Sequence, residues 1–264
     1  YDGGKTWEEN EIQITDHPGG WSIDIEGIYR ANGMPVTKCD LSGGDNNGTI
    51  YVNWAAERDG QIDIFLSKST NHGDTWSDPI RVNQDESNRD QFFTWMDIDQ
   101  TNGNLWFVYH DRRDTKGNET DVYLALSKDG GSSFKETKLT ETPFNPDDQV
   151  FFGDYNNIAA HNNVIRPVWT RLDEKKLTIQ TSIVNPYPFF LEQENLITTG
   201  SESNGAISIN HSLEGKKFLI SVFDLTGKLA GAKENTKSKN GVISTKDFSV
   251  LLDGVYWVEI SNDS

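Results

Sequence analysis

Apolar residues in this chain come in short runs separated by clusters of Gly, Asn and Asp, and the runs alternate instead of following a helical period. Residues 49–54 follow the turn Asp45-Asn46-Asn47-Gly48, residues 104–110 follow Thr101-Asn102-Gly103, and residues 164–170 follow His161-Asn162-Asn163. Asn and Gly tolerate the positive φ that tight hairpins require. Val, Ile, Tyr, Phe and Trp dominate the runs, so each predicts a strand. Grouped by their turns, the strands fall into successive units. In the first, a turn at 46–48 joins the first two strands, and 62–67 and 80–83 supply the third and fourth. The second runs over 92–99, 104–110, 122–127 and 136–140, and the third over 154–161, 164–170 and 177–183. The expected class is all-β.

A short motif recurs at the same place in these units. Ser69-Thr70-Asn71-His72-Gly73-Asp74-Thr75-Trp76 and Ser127-Lys128-Asp129-Gly130-Gly131-Ser132-Ser133-Phe134 share the pattern Ser-x-Asp/Asn-x-Gly-x-Thr/Ser-aromatic, and Tyr1-Asp2-Gly3-Gly4-Lys5-Thr6-Trp7 repeats it without the first Ser. Chemically this is a β-turn: the Asp or Asn side chain binds turn amides, Gly takes the strained backbone, and the ring packs beneath. Trp76 and Phe134 are therefore expected to be largely buried. The motif resembles the Asp-box, or BNR, repeat of sialidase-like β-propellers, where the box joins the third and fourth strands of a four-stranded blade. The resemblance implies that residues 1–184 are about three blades, the C-terminal half of a propeller whose other blades lie upstream.

Beyond 200 the character changes. Val222-Phe223-Asp224-Leu225-Thr226-Gly227-Lys228 and Leu252-Asp253-Gly254-Val255-Tyr256-Trp257-Val258-Glu259-Ile260 resemble the C-terminal sorting domain of type IX secretion, an immunoglobulin-like β-sandwich of secreted Bacteroidetes proteins. The Pro-Asn-Pro that often opens this domain is missing, although Asn185-Pro186 stands in the preceding stretch. The resulting organisation is blades over 1–184, a linker over 185–200 and a sorting domain over 201–264. It implies passage through the periplasm to the cell surface or the medium, with the type IX outer-membrane machinery as the partner of 201–264.

Charge narrows the function. The chain carries 24 Lys plus Arg against 41 Asp plus Glu, net −17, and residues 1–200 hold −16 of that. Nucleic acid needs neutralising cations, so it is excluded as a partner. No apolar run reaches 18 residues, which excludes a transmembrane helix. Cys39 is the only cysteine, so no intrachain disulfide forms.

The loops between second and third strands, with those leading into the first strands, define one face. It collects Arg30, Asn32, Glu57, Arg58, Arg89, Asp90, residues 111–114, Asp154, Tyr155, Arg171 and Asp173. The sialidase resemblance implies an arginine clamp on a substrate carboxylate, with Arg58, Arg113 and Arg171 recurring near the ends of successive second strands. It also implies an acidic residue beside a tyrosine nucleophile, for which Asp154 and Tyr155 are the candidates, with Asp111 near the substrate. Two alternatives stand beside this. Asp111 and Arg113 are equally suited to pair between blades, and a propeller can bind glycan or protein without catalysis. The leading function is therefore an exported sialidase-like propeller acting on a glycan or glycoprotein, with exo-glycosidase hydrolysis as its enzymatic form and a non-catalytic binder or adhesin as its rival. No cofactor is expected. Asp97, Asp99 and Asn102 offer clustered oxygens for calcium, but Gly103 falls one position too late for an EF-hand loop, and a hairpin turn explains these residues.

Overall fold

In the computed structural model, residues 5–6, 10–184 and 186 are described with their side chains, and beyond them the strands between 200 and 262. The chain divides into two compact units, Tyr1–Val184 and Asn185–Ser264.

The first unit holds three antiparallel sheets, the architecture of a partial β-propeller. The first sheet orders β1 (Val36–Cys39), β2 (Ile50–Arg58), β3 (Gln61–Ser69) and β4 (Ile80–Arg81) side by side. The second does the same with β5 (Gln91–Asp99), β6 (Asn104–Asp111), β7 (Asp121–Ser127) and β8 (Lys135–Lys138). The third has three strands, β9 (Asn157–His161), β10 (Val164–Asp173) and β11 (Lys176–Thr181). Neighbouring sheets meet mainly through β5, which packs on β1, β2 and β3 on one side and on β9 on the other.

That position explains the burial pattern. Every residue of β6 and β7 is buried, because the middle sheet is covered on both faces. By contrast β10 alternates, with Ile165, Trp169 and Leu172 inside and Val164 and Val168 outside. Burying one large apolar side chain such as Trp106 or Phe107 stabilises by roughly 1.5–3 kcal/mol.

Between the sheets the contacts are also polar. Thr94 Oγ1 donates to Asn53 Oδ1 at 2.7 Å, and the Asn83 amide donates to Asp63, Asp85 and Gln91 at 2.7, 2.7 and 2.9 Å. Lys68 Nζ reaches Gly130 O at 2.6 Å. On the other side Asp97 accepts from the Ala160 amide at 2.8 Å. The Asp99 carboxylate takes the amides of Thr101, Asn162 and Asn163 at 3.0, 3.0 and 2.7 Å, along with the Thr101 hydroxyl. Burial alone raises the Asp99 pKa, yet these donors outweigh it and hold the carboxyl below its ordinary value. The oxygens considered for calcium are thus occupied by the hairpin and by the neighbouring sheet.

The two described turn motifs fold alike. Asn71 Oδ1 accepts the Ser69 hydroxyl at 2.9 Å and the Thr75 amide at 3.0 Å. Asp129 Oδ1 accepts Ser127 Oγ, Ser132 N and Ser133 N at 2.8, 3.0 and 2.9 Å. Gly131, at φ 81°, comes so close to the first sheet that a Cβ there would stand 2.5 Å from Leu66 Cδ2. Trp76 and Phe134 are both mostly covered, in line with the expectation, without being fully buried. Trp76 donates its ring N–H to Gly73 O at 3.1 Å and packs on the cluster Val52, Trp54, Ala56 and Phe65, while the surface turn leaves part of the ring uncovered. The third motif copy, over 1–7, lies mostly outside the described residues.

The second unit holds two three-stranded antiparallel sheets. One orders β12 (Gly200–Ser203), β13 (Ala206–Asn210) and β16 (Val242–Thr245); the other orders β15 (Leu229–Lys237), β14 (Lys217–Asp224) and β17 (Tyr256–Asn262). The stretch 252–260 quoted above runs into β17, which pairs with β14 from Phe218↔Asn262 to Asp224↔Tyr256. Residues 225–228 of the other quoted stretch lie outside the described residues.

Candidate functional site

Two loops of the first unit meet at a salt bridge between residues 124 positions apart. Arg30 donates from Nε to Asp154 Oδ1 at 3.1 Å and from one terminal nitrogen to both Asp154 oxygens at 2.6 Å each. Asn32 Nδ2 adds contacts to the Asp154 carbonyl at 3.2 Å and to Oδ1 at 3.3 Å. These bonds hold the Arg30 guanidinium above its ordinary pKa. The pair is open to water, with the Arg30 side chain 51% exposed and that of Asp154 23%.

Each loop is fixed by alternate anchors. Along 151–156, Phe152 and Asn156 are buried while Phe151 and Tyr155 are exposed. Asn156 donates to Phe93 O at 2.8 Å and sits 3.3 Å from His110 Nδ1. Phe152 enters an aromatic box with Phe93, Phe144 and His110, ring centroids 5.4–6.2 Å apart. Gly153, at φ 122°, supplies the backbone turn between these anchors that a side chain would resist. In the partner loop, Ile28 and Asn32 are buried and Tyr29 and Arg30 point outward, braced by the bridge Ile23↔Ala31.

Exposed aromatic rings stand near the pair. Tyr29 meets Phe151 edge to face at 6.1 Å, and the Arg30 guanidinium lies 5.1 Å from the Phe151 centroid. Beyond Asp154, Tyr155 packs on Trp95 at 5.7 Å. A β-bulge in β5 between Phe92 and Trp95 sets that contact, with Phe93 at φ 50°. Tyr29, Phe151 and Tyr155 are 60%, 47% and 58% exposed, an unusual display of rings around one ion pair. Next to Phe151 a shallow groove of about 330 Å³ continues over Gly153, Thr170, Leu177 and Ile179.

The arginines expected to clamp a carboxylate have other work, each with its own set of partners. Arg58 donates to Thr15 Oγ1 at 3.3 Å and lies 4.7 Å from the Phe65 ring centroid. Arg171 holds Asp173 at 2.5 Å and the carbonyls of Thr142 and Pro143 at 2.8 and 3.3 Å. Arg113 is more enclosed than Arg171, its side chain 12% exposed against 18%. It binds Asp111 at 2.7 Å and Glu136 at 2.7 Å, approaches Asp85 of the preceding sheet connection at 3.8 Å, and lies over the Tyr123 ring. Glu136 in turn accepts from the Tyr109 hydroxyl. Burial pulls the Arg113 pKa down, but the bonds to Glu136 and Asp111 win and hold it above its ordinary value. Burial raises Asp111 to about 6 against the opposing pull of Arg113. His110, inside the aromatic box, is pushed by burial to about 3 and stays neutral.

Of the face expected from the sequence, the structure therefore brings together Arg30, Asn32, Asp154 and Tyr155. It places Arg58, Arg171 and the mutually bonded Arg113 and Asp111 apart from that group. The rings Tyr29, Phe151 and Trp95 were not singled out from the sequence. Tyr29 and Phe151 stand in stretches outside the predicted strands, whereas Trp95 lies within the run 92–99.

Residues 203–264 match the family described as the secretion system C-terminal sorting domain. The chain is thus an export substrate of type IX secretion, delivered to the cell surface or released. No curated protein matches the chain. Among solved structures, an α-L-arabinanase of Penicillium chrysogenum in complex with arabinobiose is 12% identical, with TM-score 0.42 over 68% of this chain and 56% of its own. A protein of unknown function from Dyadobacter fermentans is 17% identical, with TM-score 0.40 over 92% and 60%. The NanB sialidase of Streptococcus pneumoniae is 10% identical, with TM-score 0.34 over 86% and 55%. The chain thus spans little more than half the length of these proteins, and likenesses of this degree carry nothing about its chemistry.

Proposed function

We propose that this exported protein binds glycans through the surface around Arg30 and Asp154, as a non-catalytic propeller. The observation that carries the reading is the exposed trio Tyr29, Phe151 and Tyr155 near a solvent-open Arg–Asp pair. Sugars offer apolar C–H faces to rings and hydroxyls to charged groups, and both partners are present. Hydrolysis of the sialidase type has weaker support. Asp154 is bound to Arg30 and Asn32, and Tyr155 packs on Trp95. The full chain placed on a glycan array should bind carbohydrate, and a fluorogenic sialoside should remain intact in its presence. Release of the fluorophore, abolished by Asp154→Asn, would overturn the non-catalytic reading in favour of hydrolysis.

A further inference from the structure

We infer that the Arg30–Asp154 patch selects uncharged sugars carrying adjacent hydroxyls, and not sialic acids or uronates. The inference rests on reading the patch as a glycan site and adds its substrate class.

Three hydrogen bonds fork Arg30 onto Asp154, so the two charges cancel at the centre of the patch. A ligand carboxylate could recruit Arg30 only by displacing Asp154, whose own charge would then face it at close range. The surrounding surface adds repulsion, because residues 1–200 carry a net charge of −16. An uncharged sugar pays neither penalty. The second terminal nitrogen of Arg30 takes part in none of the bonds to Asp154, and among the described residues Asp154 Oδ2 accepts from Arg30 alone. Neighbouring hydroxyls of one sugar can therefore accept from Arg30 and donate to Asp154 while the salt bridge stays intact. Asn32 and the buried anchors on both loops fix the pair in advance, so little ordering accompanies binding. The exposed rings Tyr29, Phe151 and Tyr155 supply surface for the C–H faces of the same or adjoining residues.

The test is calorimetric titration of the full chain with cellohexaose, mannohexaose, xylohexaose and arabinohexaose, against 3′-sialyllactose and tetragalacturonate. At least one neutral oligosaccharide should bind more tightly than both acidic ones. Tyr155→Ala and Arg30→Ala should each weaken that binding about three- to tenfold without lowering Tm. Preference for an acidic glycan would overturn the inference and leave the glycan-binding reading standing. Binding to none of the probes would bring down both. Neutral binding unchanged in Tyr155→Ala and Arg30→Ala would remove the patch as the site.

Discussion

Arg113 and Arg30 make the same chemical bond, guanidinium to aspartate, in opposite surroundings. Arg113 is enclosed against the second sheet, bonded to the fully buried Asp111 and to Glu136, with Asp85 approaching from the connection before β5. Arg30 is half exposed, bonded to Asp154 and lying 5.1 Å from the Phe151 ring. The difference teaches that an arginine near the end of a propeller strand is not by that fact a ligand group. Enclosure makes the pair part of the second sheet's own packing, while exposure beside aromatic rings leaves the other available.

The comparison breaks most visibly if Arg113 proves dispensable. Arg113→Ala strands Asp111 and Glu136 without their cation, and should cost about 3–5 kcal/mol, the range for removing one partner of an enclosed pair. Thermal unfolding measures it, and glycan affinity of the folded fraction should not change.

Acid titration probes the same enclosed region. His110 is held neutral to about 3, whereas the unfolded chain takes up its proton near 6.5, so His110 drains stability as pH falls through that window. Asp111 acts in the reverse sense. Its pKa is raised to about 6 from 3.8, so its contribution is fully present below 3.8 and is lost as pH rises through 6. The two oppose each other between pH 6 and 4. His110→Phe removes one of them, and the variant should gain stability relative to the parent by roughly 3 kcal/mol between pH 6.5 and 4, read from unfolding curves across pH. Parallel pH profiles for the two proteins would show that the box does not hold His110 neutral.

Smaller effects are expected at the surface. Trp76→Ala should cost about 1.5–3 kcal/mol, reflecting a mostly covered ring on the Val52, Trp54 and Phe65 cluster. Tyr155→Ala should change stability by less than about 0.5 kcal/mol, as for most exposed side chains. A larger loss at Tyr155 would mark it as a structural ring and weaken its place in the patch.

The sequence disclosed the strands well where a sheet packs on neighbours. The β2, β3, β5, β6 and β7 strands match the apolar runs because burial on both faces demands continuous apolar sequence. It disclosed β1 poorly, since Val36–Cys39 is four residues long with only Val36 buried. It also placed residues 154–156 in a strand. The structure starts β9 at Asn157, because Asp154 is drawn to Arg30 and Asn156 turns inward to Phe93. The site was half legible. Arg30, Asn32, Asp154 and Tyr155 were assigned to one face, but a bond across 124 residues leaves no local mark. Arg113 and Arg171 were marked by their spacing, and spacing does not show which carboxylate stands nearest.

Paired conservative variants test the central contrast most directly: Arg113→Lys and Arg30→Lys in the full chain, each measured for Tm and for affinity toward the tightest-binding neutral oligosaccharide. Lysine keeps the charge and loses the fork, so only the geometry of each pair is disturbed. Arg113→Lys should lower Tm with Kd unchanged, and Arg30→Lys should raise Kd with Tm unchanged. A protein in which Arg113→Lys loses glycan affinity at the parental Tm, while Arg30→Lys binds normally, would contradict the account.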